Sequence, residues 1–227
     1  MKQILTLLFL FSAASLLLIS CDSTSSNSEI STIELHMQAA VGNTGLKAAD
    51  SKNQPGLEIQ EVKFFIDEVE LESVQNDWLD FEVEEFIVNL PLDGSPLIIT
   101  EREVPPGLYD EFELEIERPD DSDPPVNDAD FNDETGRYSV VVKGLFQDEP
   151  FMFRSDEEFE IEMDINPALE VTEAGSDILK ITIDIDGWFA GNSSEVLDPT
   201  NPANKALINQ NIARSFQAHD HDDDDDD

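Results

Sequence analysis

The sequence predicts an all-β fold: a β-sandwich of about eight strands, transthyretin- or immunoglobulin-like, with one short C-terminal helix. Three observations predict it. Apolar residues alternate with polar ones over many short stretches, the period of a strand buried on one face. Clusters of Pro, Gly, Asn and Asp separate those stretches, as the turns of a sandwich require. Helical spacing occurs in a single place, near the C-terminus.

In chain order, Ile33, Leu35 and Met37 alternate with Thr32, Glu34 and His36. Ile59 is followed by Val62, Phe64 and Ile66, and then by Val69 and Leu71, between Glu, Lys and Asp. Trp78 to Leu90 carries two apolar stretches, and Leu97-Ile98-Ile99 is a short run. Phe112, Leu114 and Ile116 alternate with Glu111, Glu113, Glu115 and Glu117. Tyr138 to Phe146 is β-branched and aromatic; Phe151 and Phe153 follow, then Phe159, Ile161 and Met163. Ile181, Ile183 and Ile185 close the series. Asn201 then suits an N-cap and Pro202 a first helical position. Ile208, Ile212 and Phe216 recur at spacing four, which predicts one helix face reaching Phe216.

Ahead of the domain, Lys2 precedes an apolar stretch from Ile4 to Ile19. It is short for a bilayer span, which needs about 20 residues, and has the form of a secretory leader. Its end, Leu18-Ile19-Ser20-Cys21, resembles the bacterial lipobox, in which cleavage precedes a cysteine that takes a diacylglyceryl group. Cys21 is the only cysteine, so no intrachain disulfide is open to it. A plain leader with an incidental cysteine is the alternative. The expected organisation is a leader over 1–21, a flexible tether over 22–29, a domain over 30–217, and a disordered acidic tail over 218–227.

Charge excludes whole classes of partner. The chain has 12 Lys plus Arg against 52 Asp plus Glu, a net charge of −40. Nucleic acid needs a basic patch, and anionic lipid would repel this surface. The expected membrane contact is the lipid anchor alone. Partners open to such a surface are cations, basic proteins and neutral ligands such as glycans.

The stretch from Val62 to Leu71, then Trp78, then Val104-Pro105-Pro106-Gly107-Leu108-Tyr109 leading to Leu114 resembles the bacterial lipoproteins grouped as domain of unknown function 4382. The match spans about residues 30–190, and the later part departs more, notably in the acidic loop at 120–134 and the final helix. The resemblance implies a β-sandwich on an exported lipoprotein and no activity. Read on its own residues, Pro106 presets a turn and Gly107 is expected to supply positive φ.

No nucleophile elbow, metalloprotease helix or second thiol is present, and abundant carboxylates say nothing by themselves about acid–base catalysis. His36 reads as a solvent-facing strand residue. Calcium is the one candidate cofactor, since hard cations take carboxylate and carbonyl oxygens. The loop offers Asp120, Asp121, Asp123, Asp128, Asp130, Asn132 and Asp133 as ligands. Asp128-x-Asp130-x-Asn132 matches the start of an EF-hand loop, but Asp133 replaces its glycine and Ser139 its closing glutamate. The expectation is therefore a non-catalytic, lipid-anchored binding module of the cell envelope, at the outer membrane, with an envelope protein or glycan as partner. The alternative is an envelope protein that binds calcium or another divalent cation.

Overall fold

The computed structural model describes residues 31–40, 53–54, 56–74, 81–120, 126–173, 175–192 and 195–220. Cys21, the leader and the tether lie outside them, as do Trp78, Asp121, Asp123 and the tail beyond Asp220.

Two sheets carry the chain. The first joins β1 (Ser31–Ala39), β5 (Leu97–Val104), β12 (Ser176–Ile183) and β13 (Phe216–Asp220) in the order β13-β12-β1-β5. The second is seven-stranded. Its path runs β10 (Glu149–Ser155), β9 (Val140–Phe146), β3 (Leu57–Ser73), β6 (Gly107–Ile116) and β11 (Phe159–Val171). On β3 also pair β2 (Asn53–Gln54) and β4 (Phe81–Asn89). A small ribbon joins β7 (Asn132–Asp133) to β8 (Gly136–Arg137). Pairing is antiparallel except for β1 and β12, which run parallel with Thr32 opposite Ser176. Alternation does not reveal strand direction, and that parallel pair was not legible in the sequence.

The alternating residues do form the interior. Ile33, Leu35 and Met37 are buried on β1, and Phe112, Leu114 and Ile116 on β6. Both sheets contribute to one core, in which Phe64 of β3 meets Trp188 and Phe216 edge-on with centroids about 6 Å apart. On β3 the buried phase changes after Ile59, where the register against β9 shifts. Gly144 lies opposite that shift. A Cβ there would meet the Glu58 carbonyl oxygen at 1.9 Å, so only glycine permits this approach. The β9–β10 hairpin turns through Gln147 and Asp148, both at positive φ, as a two-residue hairpin matched to strand twist requires.

Three local expectations are corrected. Asn201 caps a 3₁₀ turn at Pro202–Asn204, its side chain accepting from the Ala203 N–H. Helix α1 (Lys205–Ala213) follows and buries Ile208 and Ile212. Phe216, however, lies on β13 instead of the helix. The helix stops where Ser215 donates to the Ile212 carbonyl through both its N–H and its Oγ, and the chain then turns into the sheet. Residues 218–220 accordingly belong to a strand, so the tail begins later than expected. Spacing four across Phe216 imitated a helix because a buried strand residue happened to fall in phase. Gly107, finally, starts β6 without positive φ. The turn before it is closed instead by Tyr109, whose hydroxyl donates to the Pro105 carbonyl at 2.9 Å.

Candidate functional site

The segment Val126–Arg137 folds over the outward face of the seven-stranded sheet. Phe131 holds it there. It is fully buried against Phe65 and Val141, its ring 6.2 Å from that of Phe65. This small second core exists because β3 and β9 each place one apolar residue outward, beneath the loop. Beside it, on the same face, stand Lys63 and Lys143.

Those lysines occupy the loop's carboxylates. Lys63 Nζ donates to Asp128 Oδ2 at 2.8 Å and to Asp130 Oδ2 at 2.7 Å. Lys143 pairs with the same Asp130 oxygen and with Glu61 at 2.8 Å. Burial opposes the charge on Lys63, but its hydrogen bonds to Asp128 and Asp130 outweigh that and raise its pKa. The two aspartates respond in the complementary direction. Burial favours their neutral forms, yet the lysine hydrogen bonds hold both below the ordinary aspartate value. Asn132 ties the loop to itself, donating to the Val126 and Asp128 carbonyls.

Among the described residues, the expected calcium ligands therefore do not form one cup. Asp128 and Asp130 come together around Lys63, while Asp120 lies exposed just past β6. Asp133 belongs to a separate group. Its carboxylate accepts from Thr135 and Tyr138 and pairs with Arg154, and the Thr135 hydroxyl and N–H are the chief cause of its pKa falling to about 2. Ser139, at the EF-hand's closing position, is buried under β10 and donates to the Ser155 and Glu157 carbonyls. Asp128, Asp130 and Asp133 are each matched to one of the protein's own cations.

A second acidic feature was only half legible. Glutamates were expected to face outward, and register sets them directly opposite one another. Glu84, Glu68, Glu115 and Glu160 form one row across β4, β3, β6 and β11, and Glu82, Glu70, Glu113 and Glu162 the next. Glu72, Glu111 and Asp164 begin a third. Like charges in such pairs repel. Partial burial, then the carboxylates of Glu117, Glu68 and Glu113, push Glu115 up to about 7. A hydrogen bond with the Glu162 carboxyl does the same for Glu111, which also reaches about 7. Glu68 and Glu113 are raised too, by burial first and neighbouring carboxylates second.

The third feature lies at one end of the sandwich and was not anticipated. A cavity of about 790 Å³ opens among the chain after β6, the β7–β8 ribbon, the β10–β11 turn and the start of α1. Arg118, Arg137 and Lys205 line it against Asp156, Glu157 and Glu158, with Tyr138 between them. Lys205 pairs with Asp156, which lowers the aspartate's pKa. The Arg154 guanidinium sits 4.9 Å over the Tyr138 ring, a cation–π contact. The available signal was scarcity: with so few basic residues in the chain, Arg137 beside Tyr138 on a polar ribbon is unusual.

No protein-family model matches the chain, and no curated protein matches it. Among the described residues, no helix is long and apolar enough to cross a membrane.

Proposed function

We propose that the chain is a lipid-anchored, non-catalytic module of the bacterial cell envelope, held at the outer membrane and binding a neutral or basic partner. One observation carries the reading: β1 begins at Ser31, ten residues after the lipobox Cys21. An extended chain of that length reaches at most about 35 Å. A lipid on Cys21 therefore keeps the sandwich within one domain diameter of the membrane and raises its effective concentration toward anything else bound there. The likeness to the domain of unknown function 4382 lipoproteins, carried by the Pro106-Gly107-Leu108-Tyr109 turn, fits the same reading.

The test is intact-mass analysis and membrane fractionation of the wild-type chain and Cys21→Ala. The wild type is expected to carry a thioether-linked diacylglycerol and to sediment with membranes; the variant is expected to lack both properties. An unmodified wild-type cysteine overturns the anchored reading.

The second reading is a divalent-cation-binding envelope protein. What favours it is the approach of carboxylate oxygens from Glu70, Glu72 and Glu113 to within 4.8 Å of one another. Saturable calcium binding in a calorimetric titration, lost in Glu113→Gln, supports this reading; weak non-saturating heat retires it.

A further inference from the structure

The cavity at the end of the sandwich differs in charge from the rest of the molecule. Across the chain acids outnumber bases by 52 to 12, yet among the described residues its lining holds three cations against three carboxylates. An anionic ligand meets Asp156, Glu157 and Glu158 there, and a cationic one meets two guanidinium groups. Among the described residues, no aliphatic side chain and no phenylalanine lines it. A docked peptide or protein relies on apolar anchors in desolvated pockets, and this lining provides none. What remains is a dense alternation of donors and acceptors around a tyrosine. A planar guanidinium presents a fixed fork of donors, and carboxylates accept in pairs. Together they match adjacent hydroxyl groups, each of which both donates and accepts.

The lining is also held in place before any ligand arrives. Ser139, fully buried, donates through its N–H to the Ser155 carbonyl at 2.8 Å and through Oγ to the Glu157 carbonyl. Ser155 Oγ in turn accepts from the Glu157 N–H at 3.1 Å, so the turn carrying Asp156, Glu157 and Glu158 is pinned from below. The Tyr138 hydroxyl is fixed by Thr135 at 2.6 Å and by Asp133 at 3.1 Å, and its ring by Arg154. Lys205 is fixed by Asp156 at the start of α1. Preorganisation of this kind lowers the entropy lost on binding. The volume of about 790 Å³ lies within the range of small-ligand sites.

We propose that this cavity binds a neutral, hydroxyl-rich ligand, a short saccharide, with Arg137 and Glu157 supplying donors and acceptors to adjacent hydroxyls. The proposal rests on the binding-module reading but not on the lipid.

The test is a titration of the full chain in a detergent without a sugar headgroup. The probes are neutral di- and trisaccharides of glucose, mannose, xylose and N-acetylglucosamine. Saturable binding of at least one is expected, weakened about tenfold or more by Arg137→Ala and, separately, by Glu157→Gln. Glu157→Gln keeps the side-chain volume and leaves the backbone bonds to Ser139 and Ser155 in place, so its melting temperature is expected to match the wild type. Absence of saturable binding across the panel overturns the site. So does affinity unchanged in both variants, or tighter binding of a glucuronic-acid counterpart than of its neutral parent. Loss of saccharide binding counts against this site alone, whereas an unlipidated Cys21 counts against the anchor alone.

Discussion

Lys63 shows how one side chain acquires its role from residues far along the chain. In the sequence it is a polar residue between Val62 and Phe64, an outward position on an alternating strand. In the fold its side chain is 13% exposed and its ammonium joins two aspartates more than sixty residues away. Its replacement in Lys63→Met leaves Asp128 and Asp130 partly buried with less compensation, and an unpaired polar group in such a place costs about 1–3 kcal/mol. Denaturant unfolding is expected to show that loss, with the slope unchanged; a variant as stable as the wild type contradicts the network. The sequence showed the acids of this loop but not their partners. Composition and local spacing suggest a metal wherever aspartates cluster, and only the third dimension reveals that two lysines already meet them. The cavity residues were hidden for the same reason, since Arg118, Arg137, Glu157 and Lys205 come together from four separate segments.

At the scale of the element, the glutamate rows of β4, β3, β6 and β11 set the response to pH. Alternation made their outward direction legible. Register, which puts glutamate opposite glutamate, was not, because strand order and offset leave no local trace in sequence. Glu111 and Glu115 titrate near 7 in the fold against an ordinary value of 4.5. The folded state therefore holds extra protons between those values, and stability falls as pH rises through that window. Asp128, Asp130, Asp133 and Asp156 act in the opposite sense. Their depressed pKa values add stability above 3.8 that is lost as pH falls below it, for Asp133 toward about 2. The two trends cross between about pH 4 and 5, where stability is expected to peak. At low ionic strength the melting temperature at about pH 5 is expected to exceed that at pH 8 by about 5 °C, and Glu115→Gln is expected to narrow the gap. A melting temperature that climbs steadily from pH 5 to pH 8 contradicts the stacked rows.

For the whole molecule, a net charge of −40 opposes compactness through repulsion that mobile ions screen over about 8 Å at physiological strength. Raising sodium chloride from about 20 mM to about 0.5 M is expected to raise the melting temperature by about 5 °C or more. The Lys63 network contributes in the opposite direction, so Lys63→Met is expected to steepen the salt response. A melting temperature indifferent to salt contradicts a fold limited by its own charge. The all-β class and most of the strands were legible because the core obeys a period of two from β1 to β12. The tenth long strand, β13, was not, because five residues with one large apolar side chain carry too little pattern to distinguish strand from helix end.

The parallel pairing of β1 with β12 also orders events in time. β1 lies in the middle of its sheet, between a strand that starts at Leu97 and one that starts at Ser176. The first long strand of the domain thus waits for a partner whose residues lie more than 140 positions behind it. Until they emerge, the four-stranded sheet is at most the β1–β5 pair and covers the inner face of the other sheet only in part. A chain arranged this way stays open while most of its residues emerge and closes late, because its decisive contacts are distant in sequence.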